Sequence, residues 1–172
     1  NSYTWSGGVA DENSETCYVR VSDVNNYDDV YSVGVAPFKI RPKITVSEPV
    51  ANADIVVGSN NPNAVKWSLN GTTKVSTVNV KYSIVGAGGP FNKTILDGVD
   101  ATLGQCNWNS VLDDISGSVV VQVVDIGNAN VYGLSSPLHI VCSSTLSAPN
   151  GGNDWLVVTT SNNFTWNKTC AI

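Results

Sequence analysis

The fold is decided by a stretch near the amino terminus, Val19-Arg20-Val21-Ser22-Asp23, which recurs as Val121-Gln122-Val123-Val124-Asp125. Pro37-Phe38-Lys39-Ile40 recurs in the same way as Pro137-Leu138-His139-Ile140. The two offsets, 102 and 100 residues, are nearly equal, so the chain contains one repeated unit of about 100 residues. These stretches are rich in β-branched residues or alternate in polarity, which favours strands. The sequence therefore predicts an all-β fold of tandem immunoglobulin-like β-sandwich repeats, about 100 residues each.

The chain is expected to contain one complete copy of the repeated unit between two incomplete ones. Residues 43–143 are expected to form one complete unit, residues 1–42 the back half of a unit, and residues 144–172 the front half. In the complete unit 40 residues separate Trp67 from Trp108, whereas the two ends of the chain offer ten residues for that stretch, so about 30 are missing. Two possibilities stay open: the chain is an excerpt from a longer tandem array whose missing residues complete the unit, or its two ends form a shortened hybrid unit. The two ends would then meet either within one chain or across a boundary between chains.

Apolar residues in both halves need a partner sheet. They are Val19, Val21, Phe38 and Ile40 in the back half, and Trp155, Val157, Phe164 and Trp166 in the front half. Apolar strand faces and unpaired sheet edges are prone to association in water. We therefore expect the chain to associate with itself as a head-to-tail homopolymer, because heterologous contacts propagate into filaments unless they close into rings.

The composition argues against several classes of partner and against insertion into a membrane. A net charge of −5 and a pI near 4.6 argue against nucleic acid and anionic membrane as partners. No apolar run reaches the roughly 18–20 residues of a membrane span, so membrane insertion is not expected. Only 13% of the residues are charged, and 20 Asn and 19 Ser carry much of the polarity. Without an initiating Met or a signal peptide, the chain is expected to be a mature product or a fragment.

Four N-x-[ST] sequons predict an extracellular glycoprotein carrying covalent N-glycans, at Asn70, Asn92, Asn163 and Asn167. Asn70 and Asn92 are expected in loops. Alternation along a strand would place Asn163 and Asn167 on one exposed face, with Phe164 and Trp166 on the other.

The four cysteines, an even number in a secreted composition, are expected to be oxidised. We predict the pairs Cys106–Cys142 and Cys17–Cys170, although four cysteines permit three connectivities. Because Cys17 and Cys170 belong to different halves, their bond would close the split unit within one chain or join two neighbours.

The chain lacks a recognisable catalytic constellation, so an enzyme is not expected. His139 is the only histidine, and its repeat counterpart is Lys39, which indicates a solvent-facing strand position rather than a catalytic base. Three carboxylate pairs fall in predicted turns, where aspartate commonly caps and turns the chain: Asp28 with Asp29, Asp97 with Asp100, and Asp113 with Asp114.

No metal site or cofactor is expected beyond one candidate for calcium. Asp23, Asn25, Asp28 and Asp29 supply oxygen ligands along a single inter-strand loop, which is what Ca²⁺ prefers. The loop lacks the glycine and terminal glutamate of an EF-hand. Its repeat counterpart, residues 125–130, has also lost the acidic pair.

Two motifs carry a resemblance to a known family. Leu146-Ser-Ala-Pro149-Asn-Gly-Gly152, followed by Trp155 and Phe164-Thr-Trp166, resembles the opening of extracellular immunoglobulin- or fibronectin-III-like β-sandwich repeats. Ser2-Tyr-Thr-Trp5, Tyr18–Asp23 and Pro37–Ile40 are similar to the back half of Ser/Thr-rich fungal cell-wall repeats of the Kre9/Knh type. The complete unit departs from the family's pattern, with Ile55 in place of the first Trp.

The resemblance implies an extracellular or cell-surface location, and it leaves the role open among wall proteins, adhesins, enzyme appendages and filament subunits. We expect a structural subunit of an extracellular glycoprotein array or filament. The alternative is a carbohydrate-binding or adhesin module of a secreted protein. Cell-wall or surface glycans are candidate partners besides the chain itself.

Overall fold

The computed structural model describes residues 2–70, 74–152 and 163–171, and nearly all of its regular structure is β-strand, which confirms the expected all-β class. One turn of 3-10 helix, Ala101–Leu103, lies between the strands. The strands in chain order are β1 (Ser14–Cys17), β2 (Arg20–Ser22), β3 (Tyr31–Val33), β4 (Phe38–Ile40), β5 (Lys43–Glu48), β6 (Asp54–Val56), β7 (Asn61–Asn70), β8 (Thr77–Ser83), β9 (Lys93–Asp100), β10 (Gln105–Trp108), β11 (Ser116–Asp125), β12 (Tyr132–Leu134), β13 (Leu138–Val141), β14 (Ser144–Ala148) and β15 (Thr165–Lys168).

Strands β5 to β13 form two sheets that share one hydrophobic core, and we call this part the central sandwich. One sheet has the order β10-β7-β5 and the other β6-β13-β11-β8-β9, with β12 also paired to β11. The core draws on residues from Ile44 to Ile140, together with Cys170. Trp108 of the first sheet packs against Tyr82 of the second, with ring centroids 4.9 Å apart.

Strand β11 is the centre of the larger sheet. It pairs with β8, β12 and β13, and both faces of its middle are covered, since Val119, Val120 and Val121 are all buried. Because such a strand meets apolar neighbours on both sides, its sequence is a nearly continuous β-branched run.

The two sheets come into close backbone contact where β12 lies against β5. A Cβ placed on Gly133 would lie 2.6 Å from the carbonyl oxygen of Ile44, closer than real Cβ atoms come to any oxygen. Glycine is therefore needed at this position so that the backbones can touch.

The ends of the chain form separate two-stranded sheets outside the central sandwich. Strand β1 pairs with β4 and β2 with β3, and we call residues 2–42 the N-terminal half unit. Strands β14 and β15 pair with each other and form the C-terminal hairpin. Within the described ranges, no strand of the half unit pairs with a strand of the hairpin. None of the helices in these ranges has the length and apolarity needed to cross a membrane.

Candidate functional site

The N-terminal half unit repeats the strand register of the central sandwich. Ser14 faces Ile40 and Cys17 faces Phe38 between β1 and β4. In the central sandwich, β11 and β13 pair in the corresponding way, Ser116 with Ile140 and Val119 with Leu138. The β2–β3 ladder likewise matches the β11–β12 ladder, since Val21 faces Ser32 where Val123 faces Gly133. The half unit therefore folds like one part of the central sandwich without the rest of it.

The C-terminal hairpin repeats the register of β5 and β7. Leu146 faces Trp166, just as Val46 faces Trp67. The register shifts at the matching place in each pair, between Leu146 and Ala148 in the hairpin and between Val46 and Glu48 in the sandwich. The hairpin is thus the counterpart of the front strands of the central sandwich.

Positions that are buried in the central sandwich are exposed in the two end pieces. Val123 of β11 is 0% exposed, whereas its counterpart Val21 is 70% exposed. Trp67 of β7 is 5% exposed, whereas its counterpart Trp166 is 60% exposed. Three further pairs show the same difference, each with its first member buried and its second exposed: Val121 and Val19, Trp108 and Trp5, and Val65 and Phe164. Each end piece therefore displays the face that the central sandwich buries. The expected positions Trp155 and Val157 lie outside the described residues.

A groove of about 530 Å³ opens where the N-terminal half unit meets the central sandwich, and Lys43 and Asn70 of the sandwich also line it. Its apolar walls come from Trp5, Val9, Phe38 and Ile40. Apolar surface of this kind, rimmed by charged groups such as Arg41, is typical of a protein-binding surface.

The two end pieces are fixed to opposite ends of the central sandwich. The half unit is held at the loop that follows β11, where Asn13 donates to Asp125 over 3.1 Å and Asn128 donates to Glu15 over 3.1 Å. The hairpin continues directly from the end of β13. Because β13 runs antiparallel to β11, the end of β13 lies beside the start of β11, and the hairpin is held there. Ten residues of strand separate these ends, or about 30 Å at the usual rise.

Glu15 is the centre of the contact that fixes the half unit. It accepts two hydrogen bonds of 2.7 Å from Arg41, and the ammonium of Lys39 lies 3.1 Å away. The hydrogen bonds from Arg41 and Asn128, with help from Lys39, lower the pKa of Glu15 to about 2. Glu15 therefore stays charged at any physiological pH and holds β1 against the sandwich.

The expected disulfide pairs are wrong. Cys142 is bonded to Cys170, with their Cα atoms 5.6 Å apart, while Cys17 and Cys106 are free thiols. The physical reason is the register of the hairpin, in which Ser144 faces Lys168. Two residues before Ser144 is Cys142, and two residues after Lys168 is Cys170, so the antiparallel pairing brings the two cysteines opposite each other. The bond therefore closes the base of the C-terminal hairpin instead of joining the two end pieces.

The free thiols differ in their surroundings. Cys106 lies on β10 inside the core, and burial raises the pKa of its thiol to about 11. Cys17 is half-buried on β1. Asp113 lies close to the sulfur atoms of Cys142 and Cys170, but these sulfurs are held in the disulfide, so the three do not form a metal site.

The calcium candidate loop is used to close a hairpin. Asp23 accepts backbone hydrogen bonds from Asn25 and Asn26 at 2.8 and 3.0 Å, which is an Asx turn. Asp28 lies 3.6 Å from Arg20 as an ion pair. The only group of metal-type ligands found among the described residues is elsewhere, and the expected set, which included Asp29, is not brought together.

Arg20 also contacts two aromatic side chains beside this loop. Its guanidinium lies 4.2 Å from the ring centroids of both Tyr27 and Tyr31, a distance at which cation–π attraction is favourable. One face of each ring is thereby covered by the guanidinium.

The sequon asparagines are all exposed. Asn70 is the last residue of β7 and not a loop residue, while Asn92 lies in the loop before β9. Asn167 lies on β15 and Asn163 just before it, and their neighbours Phe164 and Trp166 are exposed as well. Glycosylation of these sites stays a prediction.

His139 and Asp100 make structural contacts. Nδ1 of His139 lies 2.9 Å from Asp54, its neighbour across the parallel β13–β6 pair. Asp100 caps the 3-10 helix by accepting from the hydroxyl of Thr102 over 2.7 Å and from its backbone N–H over 2.9 Å, and these bonds lower the pKa of Asp100. Asp97 belongs to β9.

Asp114 is tied into the edge of the core. It accepts hydrogen bonds from Tyr82 at 2.6 Å and from Lys93 at 2.9 Å. Burial works to raise its pKa, but these two donors outweigh burial, so the pKa of Asp114 lies below its usual value. Burial and the contact with Asp114 raise the pKa of Tyr82.

Comparison with known proteins gave no family model that matches the chain and no significant match among curated proteins or solved structures. The function is therefore argued from the geometry of the chain itself.

Proposed function

We propose that this chain is a structural subunit of an extracellular glycoprotein array or filament, which assembles head to tail through immunoglobulin-like half units. The observation that carries the proposal is the contrast in exposure at equivalent positions. Val21 and Trp166 are exposed where their counterparts Val123 and Trp67 are buried. In the central sandwich the equivalent surface is covered by strands of the same unit. The counterparts of those strands lie at the other end of the chain, so the opposite end of another copy would cover the exposed surface.

The placement of the end pieces supports a polar assembly. The half unit and the hairpin lie at opposite ends of the central sandwich, about 30 Å apart along β11. Completion within one chain would require one of them to leave its anchored position. A contact between unlike surfaces at opposite ends repeats along one direction and produces a filament.

The chemistry of the described residues fits a structural role outside the cell. His139 pairs with Asp54, Asp100 caps the 3-10 helix, and Asp114 accepts a hydrogen bond from Lys93. A disulfide is compatible with an oxidising, extracellular location, and the sequon asparagines are accessible for glycans.

A composite unit made from two copies would differ from the central sandwich in two ways. Ser32 takes the place of Gly133, so β14 would have to lie further from β3 than β5 lies from β12. The edge of β2 that corresponds to the β8-paired edge of β11 has no partner strand within the described ranges.

Sedimentation velocity and negative-stain microscopy of the purified chain over a range of concentrations would test the proposal. We expect association that grows with concentration and yields linear oligomers. The variants Val21→Asp and Phe164→Asp each place a charge on one of the two proposed surfaces, and each alone should stay monomeric at concentrations where the native chain associates.

A mixture of the two variants distinguishes a head-to-tail contact from a symmetric one. Each variant retains one intact surface, so the mixture should form dimers and nothing longer. Leu103→Asp is the matched control, because Leu103 is exposed on the central sandwich and belongs to neither end piece. A native chain that stays monomeric, or a Leu103 variant that is equally impaired, would contradict the proposal.

A further inference from the structure

A second groove, of about 470 Å³, opens on the side of the central sandwich where β9 contacts β10. Strand β9 is the outer strand of the larger sheet and β10 is the outer strand of the smaller one, so an edge of each sheet borders the groove. The apolar part of its lining comes from Ile95, Val99, Leu103 and Cys106. Ligand sites in proteins are commonly of this size, roughly 300–1,000 Å³, and combine an apolar lining with a few polar groups.

The polar side chains that line this groove are carboxamides, and we call them the carboxamide rim. They belong to Asn63, Gln105, Asn107 and Asn109, all of which are exposed. None of the described residues that line the groove is charged. A carboxamide donates through its nitrogen and accepts through its oxygen, and a hydroxyl group also does both. The groove therefore suits a neutral ligand that combines an apolar face with several hydroxyl groups.

Strand β7 departs from regular pairing beside the rim. The register of the β7–β10 pair shifts between Cys106 and Trp108. Asn63 has a φ of 51°, in the left-handed region that asparagine adopts more readily than most residues. Its backbone N–H donates to Oδ1 of Asn107 over 2.8 Å, so Nδ2 of Asn107 remains as the donor to a ligand. Irregularities of this kind redirect side chains and are frequent beside binding and active sites.

The repeated unit does not require amides on β10. By repeat position Gln105 corresponds to Ser2, and Asn107 corresponds to Thr4. Within the described part of the chain no hydrogen bond fixes the side chain of Gln105 or of Asn109. Both side chains are thus available to a ligand, and both can be shortened without removing a contact that holds the fold.

We propose that the groove between β9 and β10 binds a neutral saccharide, with the apolar C–H face of a sugar ring against Leu103 and its hydroxyl groups bonded to the carboxamide rim. A saccharide is favoured over an aliphatic ligand because the rim offers four side chains that can both donate and accept. A peptide would be recognised through main-chain bonds along a strand edge and would not depend on these side chains. The groove lies on the central sandwich and on neither end piece, so the inference is independent of the filament proposal.

Saturation-transfer difference NMR of the full-length chain tests the site, because it reads the resonances of the ligand for a monomer and for an assembly alike. The probes are hexasaccharides of β-1,3-linked glucose, of mannose and of N-acetylglucosamine. At least one probe should show saturable transfer. The double variant Gln105→Ala and Asn109→Ala should weaken its binding about tenfold or more, since each hydrogen bond lost corresponds to roughly a fivefold change. Asn130→Ala is the matched control and should bind like the native chain, because Asn130 is exposed and lies in the loop after β11, outside the groove.

The outcomes separate this inference from the proposed function. An absence of saturable transfer to all three probes would overturn the saccharide site. Binding that the double variant retains in full would also overturn it, because the saccharide would then lie elsewhere, and so would an equal loss of binding in the Asn130 control. Each of these results leaves the filament proposal standing. A chain that binds a probe through the rim and sediments as a monomer at every concentration would support the site and contradict the filament.

Discussion

The two equivalent tryptophans, Trp67 and Trp166, should respond to the same substitution in opposite ways. Trp67 is 5% exposed in the core and donates from Nε1 to the carbonyl oxygen of Ala101 over 2.9 Å. Replacing a buried Trp with Ala costs about 3–5 kcal/mol. For a unit of about 100 residues, about 4 kcal/mol corresponds to a melting temperature roughly 15–30 °C lower.

Trp166 should matter for association instead. It is 60% exposed, and since a Trp side chain buries up to about 250 Å², about 150 Å² would be removed from water in a joint. At about 25 cal/mol/Å² this area is worth up to about 4 kcal/mol, or a several-hundredfold change in the dissociation constant. Trp166→Ala should therefore weaken self-association strongly and leave the melting temperature of the dilute monomer almost unchanged.

Thermal unfolding followed by near-UV circular dichroism at low concentration, and sedimentation at high concentration, measure the two effects separately. Trp67→Ala should lower the melting temperature and, below it, retain association through the intact end pieces. If Trp166→Ala lowers the melting temperature as much as Trp67→Ala, the hairpin belongs to a folded core within one chain. If it leaves association unchanged, the exposed face is not the joint.

Three further predictions concern the central sandwich and the thiols. In the native protein iodoacetamide should modify Cys17 and spare Cys106, which is buried and whose pKa is raised to about 11; equal labelling of both, read by mass spectrometry, would contradict the structure. Gly133→Ala should destabilise the fold by more than 1 kcal/mol, because the new Cβ meets the carbonyl of Ile44, and an unchanged urea midpoint would show that the strands can separate without cost. Asp114 has a lowered pKa in the folded state, so its contribution to stability is complete above about pH 4 and is lost as the pH falls through the folded-state pKa. Urea titrations at pH 6 and pH 3 should show a smaller loss for Asp114→Asn than for the native chain, and identical losses would assign the acid sensitivity to other groups.

The all-β class was predictable from the sequence because the matching stretches are rich in residues that favour strands. Val19 and Val21 align with Val121 and Val123, and the structure gives the corresponding strands the same register. Val21 is exposed in the structure, and a partner sheet for it stays a prediction. Whether that partner lies in the same chain was beyond the sequence, since it depends on where each end piece is anchored.

The disulfide connectivity was missed although a signal for it was present. Matching Leu146 and Trp166 to Val46 and Trp67 implies a hairpin, and extending its antiparallel register leads to Cys142 opposite Cys170. The calcium site stays a prediction, and the contacts of Asp23 bear on it. The spacing of oxygen-bearing side chains says nothing about direction, and Asp23 turns its carboxylate toward its own backbone.

The disulfide at the base of the C-terminal hairpin also bears on how an assembly would survive proteases. It links residues 28 positions apart, so one cut in the peptide chain between Cys142 and Cys170 leaves both fragments covalently attached. A nicked subunit would keep β14 and β15 tethered to β13, and only a second cut or reduction of the bond could release a piece of the hairpin.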